Sequence, residues 1–292
     1  MELQITTLIE NMPDDKEELL YEHGFSLYIE FQGKKILFDT GQSGNFLKNV
    51  KQLGKEITGV DYFIVSHGHY DHSGGVMQAV ELLDEQTRMI VGEGFFAPKY
   101  KVLEDGSYKY NGNSFSKQEL TEKLMAQNVA FLEFDGDVKR LDDSIVIFRN
   151  FKSETEFEQH NRDFVIRQEP SCRDGICHMG GYCMDQFREE IALGLITSKG
   201  LVLITGCSHV GIINIIRQVK RHMNIPIYSV IGGTHLVAAD TERLEKTIEA
   251  MEQAGISQIA VSHCTGDTGM CMLRERLGEN YIKNNTGNVY VI

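Results

Sequence analysis

The stretch VSHGHYDHSGG, residues 65–75, places His67, His69, Asp71 and His72 within six residues. A short apolar run precedes it (DYFIVS, 61–66) and a helically spaced segment follows it (GVMQAVELL, 75–83). The four side chains therefore sit on a strand-to-helix loop, at the carboxyl end of a strand, where open α/β sheets place their sites. Imidazole nitrogens and carboxylate oxygens suit Zn²⁺, Mn²⁺ or Fe²⁺. In His-x-His-x-Asp-His, a sharp turn lets the first two histidines hold one ion. The Asp and the last His then reach a second ion about 3.5–4 Å away. Gly74 and Gly75 let the turn fold tightly and the next helix pack close to the sheet.

One short motif cannot fill two ligand shells, so more ligands are expected downstream. The second half repeats a theme of strand, glycine-bearing turn with a His, then helix. LVLITGCSHVGI carries His209, YSVIGGTHL carries His235 and IAVSHCTG carries His263. Six of the ten histidines thus lie just past expected strands, which fortuitous surface histidines would not do. His209 and His263 are the natural further ligands. His235 is either a site residue or a helix cap. His23, His160 and His222 look incidental on pattern, although His23 approaches the site if its loop folds over the strand ends. Asp39 in FDTG ends a strand and is placed to orient a ligand His; the alternative is an ordinary turn Asp.

The rest of the chain frames this centre. Its 292 residues, 41% hydrophobic and 24% charged, fit a soluble globular protein with a sizeable core. No apolar run is long enough to span a membrane. The start lacks the basic and apolar regions of a signal peptide, so a cytoplasmic location and reduced cysteines are expected. The net charge of −13 argues against nucleic acid and anionic membranes as partners. A small anionic substrate stays compatible, because a bound dication reverses the field locally.

Strands are expected at 3–9, 25–31, 34–39, 61–66, 191–197, 200–206, 225–231 and 257–262, with helices at 210–222 and 240–254. Residues 93–189 read as a less regular insertion within a single domain spanning 1–292, with a helix at 116–127 and strands near 129–134 and 144–149. Cys172, Cys177, His178 and Cys183 either bind a second, structural metal or form a Gly-rich lid. Their spacings of four and five intervening residues are looser than the roughly two to four usual within a zinc pair. Cys264 and Cys271 read as packed thiols. EGFFAPKYKVLEDGSYKY (93–110) reads as loop packing, with Phe95, Phe96 and Tyr100 at a substrate entrance as the alternative.

FDTG, SHGHYDHSGG, TGCSH, GGTHL and SHCTG, in this order, resemble the metallo-β-lactamase superfamily. The last three motifs, with EHGFSLYIE, LKNVKQLG and KGLVLITGCSHVGI, resemble its dihydropterin-methyl-ribofuranosylaminobenzene 5′-phosphate synthase-like group. The resemblance covers about 1–92 and 186–292. It implies an α/β fold, an αββα sandwich of two mixed β-sheets flanked by helices, with a binuclear site at one edge. It implies His67, His69, Asp71, His72 and His263 as metal ligands. Many relatives carry a metal-bridging Asp where this chain has Cys207, so either Cys207 contacts metal or His209 takes over, and His209 is favoured.

The implied activity is a metal-dependent hydrolase or transferase working through a metal-bound hydroxide, with Asp71 and His235 as catalytic candidates. The implied cofactors are two divalent ions, zinc before manganese or iron. The narrower group favours a small phosphate- or pyrophosphate-bearing substrate, with His235 donating to a phosphoryl oxygen or leaving group. A lactonase or thioesterase on the same ions is the first alternative. A di-iron redox protein is disfavoured by His69, and a non-catalytic binding or sensor protein by the intact ligand set.

Overall fold

The end of KKILF (36–38) and the middle of GLVLIT (201–204) are continuously apolar, which a strand tolerates only when each face is covered. In the computed structural model, which describes residues 3–159, 161–173, 176–178 and 180–292, both faces are covered. Ile36 and Phe38 point into one apolar cluster and Leu37 into another. Val202 and Ile204 share the first of these clusters, while Leu201 and Leu203 face a third. The shared cluster is the space between two sheets. The other two lie between each sheet and its own helices. This is the expected αββα sandwich.

The first sheet has seven strands in the order Val289–Val291, Leu3–Ile9, Ser26–Phe31, Lys34–Phe38, Tyr62–Ile64, Arg88–Gly92, Ala130–Phe134. It is antiparallel at the Leu3–Ile9 end and parallel from Lys34–Phe38 onward. The second sheet has six, in the order Gln258–Ser262, Ile227–Gly233, Gly200–Thr205, Ala192–Thr197, Ile145–Phe148, Val138–Arg140. Its first three strands run parallel, with the helices Ile212–His222 and Thr241–Gln253 as crossovers. Both sheets therefore aim parallel strand ends, with the loops carrying the histidines, at one edge.

Helix Ile212–His222 lays Ile212, Ile216 and Val219 into the third cluster, each worth about 1.5–3 kcal/mol by burial. It has no cap from Gly211. Instead the buried Glu158 carboxylate accepts from the Ile213 and Asn214 amides at 3.0 and 2.8 Å. Helix Lys117–Ala126 starts with a capping box of Ser116 and Glu119. Two expectations shift. The helix expected at 75–83 is only Val76–Val80, preceded by a separate turn of helix at Tyr70–Ser73. Residues 93–189 are more regular than their sequence: Lys99–Val102, Tyr108–Tyr110, Phe164–Gln168 and Gly181–Met184 form a four-stranded antiparallel sheet. Phe95 is fully buried in the core with Phe96 packed beside it, so these two rings do not line an entrance. Cys271 is exposed, not packed. His160 and the side chains of Cys172, Cys177 and His178 lie outside the described residues, so the second-metal expectation there has no structural counterpart to report. Among the described residues no helix is long and apolar enough to cross a membrane.

Candidate metal centre

Close backbone approach builds the metal loop. A Cβ on Gly74 would lie 2.1 Å from the Gln42 carbonyl oxygen, and one on Gly75 2.6 Å from the Phe46 ring. Neither glycine has a positive φ, so space and not backbone conformation requires them. On the opposite sheet, a Cβ on Gly206 would lie 2.1 Å from Ser66 Oγ, so only glycine lets the two sheet edges meet here. Asp39, Ser208, His235 and His263 all adopt left-handed backbone, φ between 50° and 59°, at a cost of about 1–3 kcal/mol each. Such strain persists where surrounding structure over-determines the conformation, as it does along this edge.

Six expected ligands fall into two trios. In the first, His67 Nε2 stands 3.2 Å from both His69 Nδ1 and His209 Nε2. In the second, His72 Nε2 is 3.2 Å from His263 Nε2, and Asp71 Oδ2 is 3.3 Å from His263 and 3.9 Å from His72. Cys207 lies between them, its Sγ 3.1 Å from His72 Nε2 and grouped with the ring nitrogens of His67. His209 and Cys207 are both at the centre, where their donor atoms also group with that of His235.

The hydrogen bonds behind these atoms fix the tautomers. Asp39 accepts from the Ser66 amide (2.7 Å), from Ser66 Oγ (2.8 Å) and from His72 Nδ1 (2.7 Å). With its own proton donated to Asp39, Ser66 Oγ accepts from His67 Nδ1 at 2.9 Å. His263 Nδ1 donates to Asn11 Oδ1 at 2.9 Å, and its amide to Glu10 Oε1 at 2.5 Å. His67 and His263 thus each turn a bare Nε2 inward, and His72, its Nδ1 given to Asp39, turns its Nε2 inward as well. Asp39 does orient ligand histidines, two of them at once. Glu190 accepts from the His209 amide at 3.0 Å, and burial pushes its carboxyl up to about 8.

These residues fit a pair of cations. Two ring nitrogens approach the single lone pair of His67 Nε2, although only one shared proton can bridge there. The other ring nitrogens, His69 Nε2 and His209 Nδ1, find no hydrogen-bond partner among the described residues, so each ring's inward nitrogen is its available donor. Burial holds His67, His69 and His209 well below the usual histidine range, neutral as ligands must be. In the second trio His72 and His263 turn Nε2 toward each other, 3.2 Å apart. Burial disfavours charge on His72, yet the Asp39 and Asp71 carboxylates outweigh it and raise the ring to about 9. A positive charge is wanted at that point. Atoms about 2.0–2.2 Å from one zinc ion, at right-angled to tetrahedral positions, stand about 3.0–3.6 Å apart. The separations of 3.2 and 3.3 Å match, while the 3.9 Å between Asp71 and His72 is wider.

Three contacts had no clear signal in the sequence. Phe187 stacks on His209 at 4.0 Å between centroids. Phe164, from the insertion, lies 5.2–5.6 Å from the rings of His69, His209 and His235, and Lys101 reaches over it, 6.0 Å from its centroid. His235 is half-buried, its ring 4.3 Å from that of His209, so it lies at the centre and does not merely cap a helix. His23 contacts Asp71 and is not incidental. His222 is exposed at the end of its helix.

Residues 21–158 match the family model of the metallo-beta-lactamase superfamily. The chain is 28% identical to 7,8-dihydropterin-6-methyl-4-(beta-D-ribofuranosyl)-aminobenzene-5′-phosphate synthase of Methanocaldococcus jannaschii, over 98% of this chain and 96% of that one. It is 30% identical to the uncharacterized protein MJ0448 of the same organism, over 92% and 93% of the two chains. This chain belongs to the metallo-β-lactamase superfamily. A crystal structure of Tm1679, a metal-dependent hydrolase of that superfamily, superposes with a TM-score of 0.81 at 25% identity, covering 100% of this chain and 99% of Tm1679.

Proposed function

We propose that this superfamily member is a hydrolase or transferase using two divalent ions, zinc before manganese or iron, on a small substrate bearing phosphate or pyrophosphate. The observation that carries the reading is the pair of ligand trios, His67–His69–His209 and Asp71–His72–His263, side by side with inward-facing donor atoms. When bound, paired dications supply Lewis acidity and lower the pKa of a coordinated water.

The chain's own residues do the rest. Asp71, anchored by two imidazoles, orients the second trio. Phe164 and Phe187 exclude water from the first. His235, half-buried with its ring 4.3 Å from that of His209, donates to an oxygen of the substrate or its leaving group. Lys101 supplies a positive charge at the rim of an otherwise acidic protein, which supports an anionic substrate. The synthase relative named above for a 5′-phosphate product adds to that reading.

The test is a panel of phosphomonoesters, phosphodiesters and pyrophosphates run beside lactones and thioesters. Turnover of a phosphate compound that a chelator abolishes and zinc or manganese restores is the expected result. Faster turnover of lactones or thioesters would move the protein to that reaction class, and no turnover of any compound by metal-loaded protein would end the enzymatic reading.

A further inference from the structure

His23 lies outside the two trios, on the loop between the first two strands of the chain. We propose that it is a fourth protein ligand of the ion held by Asp71, His72 and His263, an inference that rests on the two-ion reading above. Its Nε2 stands 3.1 Å from Asp71 Oδ2, the same oxygen that His263 Nε2 approaches at 3.3 Å and His72 Nε2 at 3.9 Å. His23 and His263 thus present the same nitrogen to one carboxylate oxygen at separations that suit ligands of one ion, with His72 Nε2 farther from that oxygen. His23, Asp71 and His263 keep their donor atoms within 4.8 Å of one another.

The flanking residues make this more than a surface side chain finding a nearby acid. Before it, Glu22 accepts from the Ser43 amide (3.0 Å), Ser43 Oγ (2.7 Å) and Asn45 Nδ2 (2.8 Å). After it, Gly24 donates its amide to Asn11 Oδ1 at 3.1 Å, the oxygen that also holds His263 Nδ1. The Phe25 amide donates to the Asp71 carbonyl at 3.2 Å. A Cβ on Gly24 would lie 2.8 Å from that carbonyl oxygen, so the approach requires glycine. The loop is fastened before His23 to Ser43 and Asn45, and after it to Asn11 and the Asp71 backbone. Its side chain is half exposed, whereas those of His72 and His263 are wholly buried. The two ions therefore have unlike shells: three enclosed imidazoles for one, and for the other a carboxylate with three imidazoles, one facing solvent.

The test loads metal-free protein with Co²⁺ and follows visible absorption and affinity over two equivalents, for the parent, His23→Ala and His23→Gln. Glutamine keeps a hydrogen bond to Asp71 but offers no imidazole. The expected result is that both variants bind the first equivalent as the parent does, bind the second roughly tenfold or more weakly, and change the spectrum of the second ion only. Rescue by glutamine, or two equivalents bound by His23→Ala with the parent's affinity and spectrum, overturns ligation by His23 and leaves the two-ion reading standing. A parent that takes up fewer than two ions overturns both. Thermal melting of the metal-free proteins confirms that the variants fold.

Discussion

The two halves of the centre are built from the same residue types and yet differ in kind. The His67–His69–His209 half is sealed: all three side chains are buried, two aromatic rings from the insertion and its flank cover them, and burial keeps them neutral. The Asp71–His72–His263 half carries the carboxylates, draws positive charge even without a metal, and opens to solvent through His23. Asp39 ties the halves together, because His72 and, through Ser66, His67 both depend on it. On the proposed two-ion reading, the difference implies a division of labour, with the ion of the sealed half held more tightly than the ion of the open half.

Substitutions sharpen or break that division. The largest effect belongs to His209→Ala and Asp71→Ala, each of which should lower turnover roughly a thousandfold, several kcal/mol in the transition state. They should differ in metal content, Asp71→Ala keeping the sealed ion; loss of both ions from both variants would contradict two separable halves. Next comes His235→Gln, with turnover down roughly 10²-fold and metal content unchanged. If metal is lost instead, His235 is a ligand and not a donor.

Asp39→Asn should weaken metal affinity about 10–100-fold, because the amide nitrogen would face His72 Nδ1 with a donor and push the proton onto Nε2. Both halves should suffer in equilibrium titrations, and an effect confined to one would break the tie. The smallest effect is Lys101→Ala: KM for an anionic substrate should rise about two- to fivefold, as for an exposed charge worth roughly 0.2–1 kcal/mol. The rise should shrink with salt and leave kcat unchanged; an equal rise for a neutral substrate would sink the electrostatic role.

Much of this was legible in the chain, for physical reasons. His-x-His-x-Asp-His packs its donors into one turn, and the later histidines follow apolar runs long enough to mark strands, so Asp39, His209 and His263 were readable from local pattern. His23, Asn11, Glu10, Ser66 and Glu190 were not, because each acts through one contact with a segment distant in sequence and leaves no periodicity. The insertion strands were missed for a related reason. Lys99–Val102 pairs with Phe164–Gln168 across more than sixty residues; the first alternates over only four residues and the second is an apolar triplet followed by two polar residues, both too short to stand out from loop. Phe164 therefore reached the site unannounced.

The central claim is that two ions sit between these trios. Its most direct measurement is metal content by mass spectrometry on protein purified without added metal, beside His69→Ala. Close to two equivalents of zinc, manganese or iron in the parent, with a clear loss in the variant, is the result this account predicts. Metal near zero in both, not restored by adding ions, would contradict it.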